Sequence, residues 1–486
     1  MTETVSIKIK HAGKVYPLDV DLSETGATLK MQVSSLTNVP PERQKILVKG
    51  GPLKDDAYLS GVGFKPNQVV MVLGTPLEEV LKTEDVKFVE DNSGALVNTN
   101  TLGMPSGLIN LGNTCYLNSS VQVLYTIDEL KKYLKEHTGT NSTPRGALVM
   151  NTKALFDKLE NSNGEKVTPL NFLSSVRKAF PQFQEMSREG FYKQQDAEEA
   201  FSQILSVISS EIPNLEKYLN IPVKVEIKCL ENNNEDVNVD YEVMTKLSCH
   251  INSNTNFLID GLKNGLKETI EKQSPTLNRN AKYEITRKIE KLPKYLTVHF
   301  VRFFWKRESG KKAKIMRKVQ FPFQLDVMEL IDENEREKFI NGREEVSKIE
   351  KENEEEYRQL KKAKMGHELT TRELYEQQLA EMNKMREKYA LRFKEAFAKC
   401  GVDVEKSGEN VSSLYDLTGI IAHQGASADA GHYQAFIRDE KDVSGERWYK
   451  FNDDIVSVVS REKILALAGG SEGDSALILL YKGVGM

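Results

Sequence analysis

The chain has 486 residues, 39% of them hydrophobic, and sets 67 Lys and Arg against 71 Asp and Glu for a formal charge of -4. That length exceeds what one compact core usually holds, so two domains, or one large domain with additions, are expected. The balanced charge excludes the broad basic field that draws nucleic acid or an anionic membrane, and neither is expected as a partner.

The opening MTETVSIKIKHAGKVYPLDV has no charged n-region followed by an apolar h-region, and no uncharged apolar run approaches about 18 residues, so a soluble, intracellular protein is expected. Residues 5–9 (VSIKI) and 15–20 (VYPLDV) alternate in strand fashion around the turn HAGK. Leu29 and Val33 then fall at helical spacing, NVPPER stops that helix, and QKILVKGGPL and QVVMVLG supply two more strands. Two strands, a helix and two strands fit one small sheet packed on one helix. These residues, above all VPPERQKILVKG and its spacing to QVVMVLG, resemble the ubiquitin-like β-grasp family. The chain runs on without a terminal Arg-Gly-Gly, so residues 1–76 read as a fixed docking domain, not a conjugated modifier. Leu47 and Leu73 match that family's apolar partner-binding patch.

Residues 77–104 are polar and weakly periodic, a linker candidate. A larger domain is expected over 105–484, with helical patterning at roughly 115–215 and then β-rich stretches from YEITRKIEKLPKYLTVHFVRFFW to SALILLYKG, an α+β architecture. Inside the β region, about 332–399, lies a proline-free run of Glu, Lys, Arg, Gln and Met in which Val346, Ile349, Met385, Tyr389 and Phe393 form narrow apolar stripes. It reads as a charged helical hairpin inserted in the sheet.

NLGNTCYLNSS places Cys115 behind a good N-cap and ahead of Leu117, Val121 and Leu124, in the first turn of a helix. Unpaired helix N–H groups there are expected to lower the thiol pKa and favour a nucleophilic thiolate. The four cysteines, Cys115, Cys229, Cys249 and Cys400, stand far apart with no C-x-x-C, against a disulfide framework and against a cysteine-rich zinc site; no metal or other cofactor is expected. Of seven histidines, two have supporting context. His432 follows Gly431 and opens the strand HYQAFI, a good position for a base, whereas His423 ends the preceding strand and serves at most as an anchor. Asn452, in RWYKFNDDIV, is placed to orient the imidazole, with Asp453 and Asp454 as charged rivals. Asn110 offers an amide to a developing oxyanion, beside the Cys115 backbone N–H.

GLINLGNTCYLNSSVQ, QQDAEEAF, LPKYLTVHFVRF, YDLTGIIAHQGASADAGHYQAFIRD and WYKFNDD together resemble, in order, the successive boxes of the ubiquitin-specific proteases. With a ubiquitin-like module in front, the chain is similar to the proteasome-associated branch of that family. The resemblance implies a papain-like thumb, palm and β "fingers", with Cys115 as nucleophile, His432 as base, Asn452 as third member and Asn110 as oxyanion donor. It also places Gln195, Asp196 and Tyr433 as substrate-binding residues. Many relatives carry aspartate where Asn452 stands, which leaves a share of the third role to Asp453.

The expected function is hydrolysis, through a thioester, of the isopeptide bond after ubiquitin's terminal glycine. The implied partners are ubiquitin, its conjugates and the proteasome regulatory particle, and the implied location is cytoplasm and nucleus. A catalytically weak ubiquitin-binding proteasome adaptor is the alternative, disfavoured by the four intact catalytic candidates. Two polar segments, WKRESGKKAK (305–314) and QGASADA (424–430), are expected to be mobile loops beside the tail channel.

Overall fold

The computed structural model describes residues 4–11, 14–37, 39, 44–49, 51–73, 104–187, 190–306, 311–363, 371–427, 430–442, 444–470 and 473–486. It divides into two compact units, 1–97 and 98–486. Of residues 77–104, read as linker, 77–103 lie outside the described residues.

The first unit contains β1 (Thr4–His11), β2 (Lys14–Asp21), α1 (Gly26–Thr37), β3 (Lys45–Val48), β4 (Gly51–Pro52) and β5 (Val69–Leu73). The sheet order is β2-β1-β5-β3-β4, with β1 and β5 parallel. Period-two alternation turns Ile7, Ile9, Val20, Ile46, Val70 and Val72 inward against Leu29 and Val33 of the helix. Each such buried side chain contributes about 1.5–3 kcal/mol of hydrophobic stabilisation. Helix α1 starts on glycine because a Cβ there would sit 2.1 Å from the Lys54 carbonyl oxygen. The opposite face of the sheet keeps Leu47 and Leu73 exposed.

The second unit begins with five helices, α2 (Cys115–Leu124), α3 (Asp128–Glu136), α4 (Pro144–Asn161), α5 (Leu170–Ala179) and α6 (Ala197–Glu211). A four-stranded sheet follows, built from β6 (Ile221–Cys229), β7 (Asn238–Met244), β9 (Lys267–Ser274) and β10 (Arg279–Ile289) in the order β7-β6-β10-β9. Between its strands lie β8 (Leu247–His250) and α7 (Leu258–Gly265). Next come β11 (Tyr295–Val301), a hairpin of β12 (Phe303–Lys306) and β13 (Lys311–Lys314), and β14 (Gln324–Asp326). Two long helices, α8 (Arg336–Ala363) and α9 (Thr371–Lys399), precede the short α10 (Val404–Ser407). The remaining elements are β15 (Leu414–Ser427), β16 (Ala430–Arg438), β17 (Trp448–Asn452), β18 (Ile455–Val459), α11 (Arg461–Leu465) and β19 (Ser475–Gly483).

The large sheet runs β18-β17-β16-β15-β19-β11-β8, with β14 added to β15. Strand β19, between β15 and β11, reads SALILLYKG and is buried along nearly its whole length, the apolar run of a strand covered on both faces. Helix α2 packs on this sheet: Tyr116, Leu117 and Val121 share a core with Ile421, Tyr433, Ala435 and Ile478. The charged insertion forms a helix pair in which Tyr389 Oη donates to the Asn353 carbonyl (3.0 Å) and Arg392 pairs with Glu356 (3.0 Å). Its base is apolar, with Val346, Ile349, Phe393 and Phe397 packed on Val411, Leu414 and Val484.

Of the two segments expected to be loops, the described residues run into strand at both ends, while 307–310 and 428–429 lie outside the described residues. Phe303 to Lys306 pair with Lys314 to Lys311, while β15 reaches Ser427 and β16 resumes at Ala430. Polar composition signals a loop only where the backbone stays unpaired, and ladder bonds pair the described residues of the first segment and Gln424, Ser427 and Ala430 of the second. Lys314 is moreover buried, its ammonium donating to the carbonyls of His423 (2.7 Å) and Gly425 (3.1 Å). The small residues of QGAS fit a register shift between Gln424 and Ser427, where Gly425 takes φ 121°.

Candidate active site

The turn ahead of Cys115 is built on one side chain. Asn110 Oδ1 accepts from the backbone N–H of Gly112 (2.9 Å) and Thr114 (3.3 Å) and from Thr114 Oγ1 (3.2 Å). Gly112 (φ 94°) and Asn113 (φ 51°) occupy the left-handed region, which these two residue types tolerate best. The turn delivers Cys115 as the first residue of α2, only 2% exposed.

Burial pushes the Cys115 thiol up to about 11. Backbone N–H groups of Tyr433, Tyr116 and Cys115 itself favour the thiolate, and the nearby Asp453 carboxylate opposes it. The expected lowering of the pKa is therefore overturned. The helix amides act in the anticipated direction, but all ten residues of α2 are buried, and desolvation outweighs them. Burial of a neutral-looking helix on a sheet face is not readable from the local motif.

His432 enters at the start of β16. The preceding Gly431 is required, since a Cβ there would meet the Gln424 carbonyl oxygen at 2.3 Å and His423 Nε2 at 2.4 Å. His432 Nε2 lies 2.5 Å from Asn452 Oδ1 at the end of the neighbouring strand β17. A carbonyl-type oxygen can only accept, so Nε2 carries the proton and Nδ1 is left as the basic nitrogen. Among the described residues no hydrogen bond joins Cys115 to His432.

The turn between β17 and β18 separates the acidic rivals. Asp453 (φ 53°) points its carboxylate into the site: Oδ2 accepts from Asn110 Nδ2 (2.9 Å) and lies 4.0 Å from His432 Nε2, while Oδ1 accepts from Asn118 Nδ2 (2.8 Å). Asp454 pairs instead with Lys166 (2.5 Å), which holds its carboxyl below the usual range. His423 is also removed from contention as a base. Its ring is 1% exposed, burial pushes it down to about 3, and it packs edge-on against Phe303 (5.2 Å) and Tyr433 (4.7 Å).

The structure thus brings Cys115, His432, Asn452, Asp453 and Asn110 together. Asp196 caps α6, its Oδ1 accepting from the Glu198 N–H (2.9 Å). Gln195 beside it has a buried Nε2 with no hydrogen-bond partner among the described residues, and Tyr433 is buried next to His432. Sequence reasoning missed Asn118 and Gln194. The second donates from Nε2 to the Gly431 carbonyl (2.8 Å), across the space between α6 and β16. The only sequence signal for Asn118 was an amide one turn beyond Cys115, in a helix that also carries Ser119, Ser120 and Gln122. Leu47 and Leu73 belong to the first unit, 40% and 48% exposed. Among the described residues no group of three or more His, Cys, Asp or Glu is arranged to hold a metal, and no helix is long and apolar enough to cross a membrane.

A cysteine leading a buried helix, a histidine on the facing strand edge and an amide holding its ring define a papain-like thiol hydrolase. Residues 106–481 match the family model described as ubiquitin carboxyl-terminal hydrolase, and residues 7–77 match that of the ubiquitin family. The chain is 42% identical to Ubiquitin carboxyl-terminal hydrolase 6 of Schizosaccharomyces pombe, covering 98% of both sequences. It is 36% identical to Ubiquitin carboxyl-terminal hydrolase 6 of Arabidopsis thaliana, again over 98% of each. Identity to Ubiquitin carboxyl-terminal hydrolase 14 of Caenorhabditis elegans is 32%, over 98% of this chain and 93% of that one. The chain belongs to the ubiquitin carboxyl-terminal hydrolase family, a cysteine-type deubiquitinase with an N-terminal ubiquitin-like domain.

Proposed function

We propose that Cys115, His432, Asn452 and Asn110 carry out hydrolysis of the isopeptide bond after ubiquitin's C-terminal glycine. The observation that carries this reading is the 2.5 Å contact between His432 Nε2 and Asn452 Oδ1, which leaves Nδ1 as the base. His432 Nδ1 takes the Cys115 proton as sulfur attacks the glycine carbonyl carbon, and the oxyanion is met by the Cys115 N–H and the Asn110 amide. The C–N bond then breaks, and His432 returns the proton to the departing lysine amine. Water, deprotonated by His432, attacks the thioester, releasing ubiquitin's carboxylate and restoring the thiol. Asn452 keeps the ring in one tautomer, and Gln195, Asp196 and Tyr433 hold the ubiquitin tail.

A protonated thiol with a pKa of about 11 and no hydrogen bond to His432 supports a free enzyme of low basal activity. The exposed Leu47 and Leu73 support docking of the ubiquitin-like domain on the proteasome regulatory particle, where the protease domain gains activity, in cytoplasm and nucleus. A ubiquitin probe with a terminal electrophile, reacted with and without proteasomes whose own deubiquitinases are inactivated, tests this. Labelling of Cys115 that rises with proteasome is expected. Binding of ubiquitin with no labelling in either state would favour the adaptor.

A further inference from the structure

We propose that Asn118 is a positioning residue for this chemistry: its buried amide fixes the Asp453 carboxylate so that one charge serves both His432 and Asn110. The inference rests on the catalytic reading above and extends it to a residue outside the reacting groups.

Asn118 lies one turn beyond Cys115 in α2 and is 3% exposed. A side-chain amide so buried must find partners, since an unmet donor costs about 1–3 kcal/mol. Its Nδ2 finds acceptors only: Asp453 Oδ1 at 2.8 Å, the Leu108 carbonyl at 3.2 Å and the Ile109 carbonyl at 3.4 Å. The position therefore calls for a group with two hydrogens and no charge, which excludes aspartate. The Leu108 N–H in turn donates to the Asp453 carbonyl (3.0 Å). Asn118 is thus the side chain through which the nucleophile helix grips the β17–β18 turn.

What that grip controls is the direction of a charge. Asn452 is a neutral amide and gives His432 orientation without a countercharge. The Asp453 carboxylate, 4.0 Å from His432 Nε2, is placed to favour the imidazolium that forms when Cys115 is deprotonated. The same carboxylate accepts from Asn110 Nδ2 at 2.9 Å, which aligns the amide proposed for the oxyanion. A carboxylate free to turn would lose both contacts at once.

The test is steady-state hydrolysis of a fluorogenic ubiquitin substrate by full-length protein from about pH 5.5 to 9.5, comparing wild type, Asn118→Leu, Asp453→Ala and the double variant. Asn118→Leu should lower kcat roughly 10- to 100-fold, the weight of one hydrogen bond to a charged group, and leave KM within about 2-fold. The double variant should be no slower than Asp453→Ala alone. Losses that multiply, or a raised KM with unchanged kcat, would each overturn the assignment. If Asn118→Leu does not fold, Asn118→Ser carries the same comparison, and failure of both to fold would mark the residue as purely structural. Turnover retained by Cys115→Ala in this assay would sink the catalytic reading itself, separately from the role of Asn118.

Discussion

The protonation state of Cys115 in the free enzyme can be read directly from its alkylation rate. With a thiol pKa of about 11, the thiolate fraction is about 0.001 at pH 8 and about 0.09 at pH 10. Iodoacetamide, which reacts with the thiolate, should therefore label Cys115 about 90-fold faster at pH 10 than at pH 8. An ordinary thiol with a pKa near 8.5 would gain only about 4-fold over that interval, and a thiolate–imidazolium pair would gain almost nothing. Steric shielding multiplies both rates equally and cancels in the ratio. Peptide mass spectrometry quantifies the labelled site, with the partly exposed Cys400 as an internal reference. A flat profile between pH 6 and 9 would refute the argument, because it would mean that the helix amides and His432 outweigh burial.

Asn110→Ala should reduce kcat by roughly 10² to 10³ with little change in KM, the usual size for one oxyanion donor; an unchanged rate would leave Asn110 as a turn-former only. Asn452→Asp should keep most of the kcat that Asn452→Ala loses, and stopped assays on both settle whether orientation of His432 is what matters. Asp128 bonds Lys482 (2.9 Å) and Lys131 (2.9 Å), and despite burial these cations hold its carboxyl down at about 2. A lowered carboxyl stabilises the fold fully above its unfolded value near 3.8 and ceases to do so as pH falls toward about 2. Because the side chain is 43% exposed, Asp128→Asn should cost only about 1 kcal/mol at pH 7. Urea melts should show that difference shrinking at pH 2.5, and an equal loss at both pH values would contradict the ion-pair account. Deleting residues 1–76 should leave basal hydrolysis intact while weakening stimulation by limiting proteasome; superimposable titrations would remove the tethering role.

Much of the site was legible because its parts are local in sequence. NLGNTCYLNSS encodes a turn and a helix start within eleven residues, although Thr114 makes no capping bond to the helix and its hydroxyl instead joins the Leu111 N–H and Asn110, and GHY encodes a glycine that admits a histidine near a strand end. The same holds for the alternation in VSIKIKH and the apolar run of SALILLYKG. The choice between Asp453 and Asp454 was legible only through the family resemblance, not from the residues themselves. The two are adjacent and identical, and only the left-handed φ of 53° at Asp453 sends its carboxylate toward His432 and leaves Asp454 to Lys166. The direction of the thiol shift escaped for a related reason: dipole arguments are local, whereas the burial that outweighs them comes from a sheet more than 300 residues later in the chain. Lys314 misled in the opposite sense, since a lysine in a polar run reads as solvated until two carbonyls on a neighbouring strand are seen to hold it.

The position of β19 has a consequence for synthesis. It lies between β15 and β11, hydrogen-bonded to both, yet is translated after every other strand of that sheet. Until it emerges from the ribosome, β15 and β11 each present an open edge, and edge pairing with other chains is the main hazard. The wall of the site that bears His432 cannot reach its final packing before then. A nascent chain of this protein thus completes its active site only when its last sheet strand has been released.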